Sequence, residues 1–305
     1  MTAVPSSAVD LERVLAGAQL PALPQSAIAL LELSQDGDNG PAEFALPIES
    51  DPGLAGQVLR FVNSSYFGFS HEISSVKLAL ALVGVRTIKN FALWSAVFSL
   101  MPNPKCGPFD LKLLWQDSLR RALFARNMAK LLGAAEPEDA FSAGLLQDMA
   151  VPLLAKEMAQ AYTKLIESRD GGKVRLSELE RRVLGWTHAE AAGMMVRQWK
   201  LPDAFAELIE HHHEVEQLAA DPHADPARWS VALSALLPAV ADAEWHECRQ
   251  LELLCQESAC RGTLSLADLL RQVDEQFCEF APVLKLAEPG CSLVERFERE
   301  TALAE

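Results

Sequence analysis

From Asp10 to the end of the chain, apolar residues recur three and four positions apart, and no stretch sustains an apolar–polar alternation. A chain patterned in this way can only bury its apolar surface as packed helices, so the sequence predicts an all-α fold. Local signals divide the pattern. Asp10 caps a first helix through about Ala18, and the prolines at 21 and 24 separate it from a second over residues 25–34. The polar run over 36–40 is a turn, Pro41 suits the first position of a short helix, and Pro47 should end or kink that helix. Asp51 and Pro52 open another helix that closes in Asn63–Gly68, where Tyr66, Phe67 and Phe69 can pack the turn onto the core. Two helices follow, one from Ser74 or Ser75 through Leu82 and a long one over 85–101.

Residues 102–108 form the densest cluster of helix breakers, and the reading places the first helical subdomain before them. The next helix, over 109–132, carries Leu111, Leu114, Trp115, Ser118, Ala122, Ala125 and Ala129 on one face. Its Arg120, Arg121, Arg126 and Lys130 read as a solvated flank; the alternative is that Arg120 and Arg121 contact an anionic ligand or partner. Later helices are expected over 176–184, from His188, and from Pro202, and again beyond Asp221.

The anomaly is Asp148, a lone carboxylate in the apolar stretch 141–154. On a continuous helix it shares a face with Phe141, Leu145, Met149 and Pro152 and turns inward, where an unpaired carboxylate must find a cation, donors or a proton. Thr187 and Glu190 form a capping box that sets His188 in the first turn of its helix, on a face with Ala191, Ala192, Met195 and Trp199. Phe205, Leu208, Ile209 and His212 follow one helical stripe; His213 borders it and His211 points away. Asp148, His188, His212 and His213 are thus expected to converge. Their donor types suit a divalent transition metal, Fe, Mn, Zn or Ni. Inward histidines also serve as plain hydrogen-bond partners, and residue spacing leaves both readings open.

Composition narrows the classes. The chain has 305 residues, half of them hydrophobic and 23% charged, as in a folded globular protein. Its formal net charge of −15 argues against a mainly electrostatic grip on nucleic acid or an anionic membrane. Residues 1–20 lack the basic start and apolar run of a signal peptide, and no later run is long and uncharged enough to span a bilayer, so a cytoplasmic location is expected. The six cysteines include no CxxC pair; free thiols are the default, and the alternative is a metal or redox cluster of Cys248, Cys255 and Cys260, whose spacing matches no standard zinc pattern.

Several ordered stretches carry a resemblance. LPALPQSAIALLEL, IESDPGLAGQVLRFVNSSYFG and ISSVKLALALVGVRTIKN resemble the N-terminal half of the bacterial HD-related output domain, HDOD. LWQDSLRRALFARNMAK, FSAGLLQDMAVPLL, THAEAAGMMVRQWKLP and LIEHHHE resemble its second half, a degenerate relative of the HD and HD-GYP metal-dependent phosphohydrolases. The resemblance implies an HDOD domain over 15–216, with an N-terminal helical subdomain (15–101) packed on a degenerate HD-like core (109–216), and a C-terminal helical extension over 221–305. Asp148, His188, His212 and His213 match the family's metal-binding positions. Asp117 stands where active relatives have an early histidine, Gln147 replaces the histidine of the His-Asp pair, and Ser234 and Ala235 fall where the late aspartate is expected, with Asp242 out of register.

Loss of those ligands removes at least one site of a two-metal centre and leaves room for a residual mononuclear site. The implied function is non-catalytic bacterial signal transduction through contacts with other signalling proteins or a nucleotide ligand; the alternative is a metal-dependent phosphohydrolase acting on a nucleotide or cyclic dinucleotide. No receiver domain and no GGDEF or EAL motif is found, so a signal is expected to arrive from a partner.

Overall fold

Asp10, Asp51, Ser75, Asp110, Asp225 and Ser265 each turn a side-chain oxygen onto amide N–H groups of the turn that follows, in the computed structural model of the chain. Those amides have no acceptor within their own helix, so a short polar residue placed just before them fixes the helix start. Residues 10–18, 20–34, 38–221, 223–258 and 264–302 are described. Among them every regular element is a helix, and no helix is long and apolar enough to cross a membrane.

The first part of the chain runs through α1 (Leu11–Gly17), α2 (Gln25–Leu33), α3 (Pro41–Glu49), α4 (Pro52–Val62), α5 (Val76–Val83) and α6 (Val85–Leu100). Of the two outcomes open to Pro47, an end or a kink, the end does not occur, since α3 runs on to Glu49. Phe44, Ala45 and Ile48 are buried around it, and their packing outweighs the one hydrogen bond that proline removes. After α4 the Asn63 side chain ties the turn to the next strand of backbone: its Nδ2 donates to the carbonyls of Leu59 and Ile73 at 2.9 and 2.8 Å, and its Oδ1 accepts from the Ile73 amide at 2.7 Å. Gly68 takes a left-handed conformation with φ of 60°, which a side chain would strain. Phe61 of α4 then stacks on Phe91 of α6 with ring centroids 4.0 Å apart.

The remainder comprises α7 (Leu111–Leu131), α8 (Pro137–Leu146), α9 (Ala150–Glu157), α10 (Ala159–Glu167), α11 (Leu176–Leu184) and α12 (His188–Gln198). It continues with α13 (Asp203–Glu210), α14 (Val215–Ala219), α15 (Pro226–Ser234), α16 (Cys248–Glu257), α17 (Leu266–Phe280) and α18 (Leu293–Ala302). Helix α7 is the axis, packed by α8, α15 and α17. Gly144 of α8 lets the two helix backbones meet: a Cβ there would lie 3.0 Å from the Cα of Ala122.

Because three helices surround α7, its arginines are not the solvated flank that the sequence suggests. Arg120 is 3% exposed and donates to the carbonyl of Cys291 at 2.7 Å. Arg126 lies over the rings of Tyr66 and Phe141, 4.7 and 5.0 Å from their centroids. The covering helix α17 comes from the end of the chain, which helical periodicity cannot place in space. Phe280 at its end packs on Tyr66 and Phe61 from the first part of the chain, at 4.3 and 5.4 Å.

Cys106, Cys248, Cys255, Cys278 and Cys291 form no disulfide among the described residues. The suggested grouping of Cys248 and Cys255 with Cys260 cannot be placed, since Cys260 lies outside the described residues.

Candidate functional site

Pro152 decides where Asp148 sits. A helix running through 141–154 would bond the amide of residue 152 to the carbonyl of 148, but proline has no N–H and its ring crowds that carbonyl. The chain therefore leaves α8 at Leu146, passes Gln147, Asp148 and Met149 as a tightened turn in which the Val151 amide takes the Asp148 carbonyl at 3.0 Å, and restarts as α9. The expected continuous helical face is thus broken in its middle. Asp148 still points inward, only 4% exposed, but from a break between helices.

A similar correction applies to the histidines. Helix α13 ends at Glu210, and His211, His212 and His213 occupy the turn beyond it. His212 is directed inward by a hydrogen bond from its Nδ1 to the Ile209 carbonyl at 2.6 Å. His211 is partly exposed and pairs with Glu214 at 2.8 Å, in keeping with its exclusion from the site. His188 sits in the first turn of α12, where Glu190 accepts from the Thr187 amide at 2.7 Å in the expected capping box.

The four predicted residues do converge. His188 Nε2 lies 3.1 Å from Asp148 Oδ1 and 3.0 Å from His213 Nε2, while His212 Nε2 is 3.9 Å from the same carboxylate oxygen. Two further residues complete the group. Arg121 donates through Nη1 to the other Asp148 oxygen, Oδ2. Glu180, fully buried, lies 2.6 Å from His188 Nδ1, accepts from the His188 amide at 2.9 Å, and takes the Tyr162 hydroxyl at 2.7 Å.

For Arg121 the sequence left contact with an anionic ligand or partner as the alternative to a solvated flank; in the fold its partner is a carboxylate of the chain itself. Arg120, paired with it in that reading, is turned away to Asp274 and Cys291. Glu180 escapes a sequence reading that takes 176–184 as a charged helix, yet a signal exists: Ser177, Glu180 and Leu184 recur at helical spacing and are all buried on α11.

Electrostatics follow from this packing. Burial alone would raise the Asp148 carboxyl, but Arg121 and then His188 more than reverse it and hold it well below the usual carboxylate range. Burial would lower His188, yet Glu180 and Asp148 on its two ring nitrogens raise it to about 10. His188 is thus an imidazolium donating from both nitrogens, and its Nε2–H faces the neutral His213. Burial pushes His212 down to about 3 and His213 well below its ordinary value. Two carboxylates, one guanidinium and one imidazolium balance, which is how so many polar groups can share an interior site.

The degenerate positions also find partners. Gln147, completely buried, accepts from Ser234 Oγ at 3.2 Å, so two residues that the resemblance sets near ligand positions of active relatives meet each other. Asp117 accepts from the Val240 amide at 2.7 Å, and burial raises its carboxyl to about 6 against the pull of Arg121. Asp242 is bound to Arg169 at 2.7 Å, and its charge helps to raise the Asp117 carboxyl.

The donor set fits one metal ion. His188, His212 and His213 each offer a ring nitrogen within 4.8 Å of the others. His212 is the strongest evidence: its Nδ1 is committed to a carbonyl, and its buried Nε2 has no hydrogen-bond partner among the described residues. An ion there would displace the His188 proton, since only the neutral ring is a ligand. A second ion is less well served, because Asp148 Oδ2 is taken by Arg121 and Gln147 offers a neutral amide.

A cleft of about 640 Å³ reaches this group, and of its members only His213 lines it. Its wall carries Glu178, Glu190, Glu210, Glu214 and Glu216 against Arg175, Arg181 and Arg182. Arg175 and Arg181 are already paired, with Glu247 and Glu190, both at 2.7 Å.

Comparison with known proteins agrees with this architecture. The model of the HDOD domain family matches residues 20–215. An uncharacterized protein of Treponema pallidum (strain Nichols) is 23% identical over 197 residues, which make up 64% of this chain and 38% of that protein, so the chain spans less than half of that curated relative. A crystal structure of an HDOD domain protein with unknown function from Geobacter sulfurreducens has a TM-score of 0.69 at 21% identity, over 90% of this chain and 94% of that one. A protein from Shewanella amazonensis SB2B described as a "Putative phosphohydrolase" gives 0.65 at 21% identity, over 94% and 97%. At such identities the likeness is one of fold.

Proposed function

Since the chain belongs to the HDOD domain family, we propose that it is a non-catalytic regulatory protein of bacterial signal transduction, acting through contacts with other signalling proteins or through a bound ligand. One observation carries this reading. The charges of the Asp148 group are balanced internally, with Arg121 and His188 on its carboxylates, and Gln147 hydrogen-bonds Ser234 where hydrolytic relatives place ligands. A site arranged in this way holds its helices together without needing an activated water.

Metal-dependent phosphohydrolase activity is the second reading, favoured by the unpartnered His212 Nε2 aimed at Asp148. A divalent ion of the Fe, Mn, Zn or Ni class, when bound, supplies Lewis-acid charge to whatever it contacts. Asp148, His188, His212 and His213 would hold it, with Glu180 and the Ile209 carbonyl orienting two of the rings. The cleft weighs against phosphate as the substrate group. Its glutamates outnumber its arginines, and two of the arginines are already spoken for, so a nucleotide would approach a surface of its own charge.

Metal analysis combined with turnover separates the readings. The expected result is at most one divalent ion per chain, no conversion of cyclic dinucleotides to their linear form, and no phosphate release from nucleotides with Mn, Fe, Ni or Zn present. Ring opening of a cyclic dinucleotide or phosphate release from a nucleotide, either one lost in both His188→Ala and Asp148→Ala, would establish the hydrolase.

A further inference from the structure

A separate cavity of about 750 Å³ opens where the first part of the chain meets α8 and α13, a size typical of small-molecule sites. Leu31 of α2, Leu93 and Val97 of α6, Leu146 of α8, and Phe205 and Leu208 of α13 make its wall largely apolar. The acceptors on its rim are mostly used. Asp139 takes Arg86 at 2.8 Å, Glu136 takes Arg86 at 3.1 Å, and Asp225 accepts the amides of Ala227 and Arg228.

Donors are left over. Lys89 lines the cavity half-buried and makes no ion pair among the described residues; burial lowers its ammonium from the ordinary value in spite of Asp139 nearby. Lys200, in a left-handed conformation with φ of 59°, likewise makes none. Arg228 Nε is buried and has no hydrogen-bond partner. An apolar chamber with spare donors is matched by a molecule that brings acceptors on an apolar body.

We propose that this cavity binds an amphipathic monocarboxylate, its chain against Leu93, Val97, Leu146 and Phe205 and its carboxylate on Lys89. A carboxylate suits the site better than a phosphate, because a dianion seated on Lys89 would also face Asp139 and Glu136. The ligand would rest on both segments that carry the histidine and carboxylate group: Leu146 directly precedes Gln147, and α13 leads into the His212 turn. The inference does not depend on whether that group holds a metal.

Isothermal titration of the full chain with decanoate tests it. The expected result is saturable one-site binding, with decanol, which keeps the chain but lacks the charge, weaker by about tenfold or more. Lys89→Met should weaken decanoate by a similar factor, and so should Ala204→Trp, which fills the cavity mouth from an exposed position. Absence of decanoate binding to the wild-type protein, equal binding of decanol, or wild-type affinity in a folded Ala204→Trp protein would each overturn the proposal.

Discussion

At the scale of single residues, Glu180 ties together His188 and Tyr162 beneath the site. Replacing it by Ala strands three buried donors, the His188 amide, the His188 Nδ1–H and the Tyr162 hydroxyl, and leaves a buried imidazolium with one carboxylate fewer. A loss of about 3–5 kcal/mol in urea unfolding is expected, and Glu180→Gln, which keeps an acceptor, should lose less. A Glu180→Ala protein within about 1 kcal/mol of wild type would refute that assignment.

Asp117 predicts a dependence of stability on pH. Its carboxyl rises from 3.8 to about 6, so the folded chain holds a proton that the unfolded chain has released between those values. Stability from this group is greatest below that window and falls as pH rises through it, by roughly 3 kcal/mol in all. Asp117→Asn should therefore gain stability at pH 7.5 and almost none at pH 4, measured by urea unfolding at each; an equal gain at both would contradict the sign.

The histidines were legible from a capping box and an apolar stripe, because those signals are local. Arg121 and Glu180 were not, since a charge on a helix reads as solvated until the neighbours that bury it are known. The contact of Gln147 with Ser234 joins residues 87 positions apart, and nothing within either segment announces the other.

At the scale of elements, the site depends on how closely α8 approaches α7. Gly144 is helical, so Ala there would ordinarily gain up to about 1 kcal/mol in helix propensity. Its Cβ, however, would meet Ala122 Cα at 3.0 Å and the Arg121 carbonyl at 3.2 Å, both backbone atoms that cannot swing aside. Overpacking should win, with a net loss of about 1–3 kcal/mol and a displaced Arg121–Asp148 contact. Thermal unfolding of Gly144→Ala checks the sign, and a stabilised protein would show that the helices separate freely. The break after Leu146 was legible in principle, because Pro152 sits four residues beyond Asp148, yet an otherwise unbroken apolar run pointed to a continuous helix. Pro47 carries the same local signal without ending α3 until Glu49, so proline marks a candidate break and packing decides it.

At the scale of the whole molecule, the all-α class followed from periodicity alone, whereas the placing of the last helices did not. Helix α17 covers α7, and its Phe280 touches Phe61 and Tyr66 from the first part of the chain and Phe141 from α8, with ring centroids 5.4, 4.3 and 6.1 Å apart. Arg126 depends on the same cover, since its guanidinium also lies 5.7 Å from the Phe280 ring. Removing the chain beyond residue 216 would therefore uncover the buried length of α7 and leave Arg120 without the Cys291 carbonyl. We expect that truncated protein to lose cooperative unfolding, although the family match ends at residue 215. Phe280→Ala is the gentler probe. It should cost about 3–5 kcal/mol while retaining one unfolding transition, because the ring bridges both parts of the chain in one core. Calorimetry on both proteins decides the matter: a truncated chain that melts cooperatively near the wild-type temperature would mean that α17 is only laid upon a domain already complete without it.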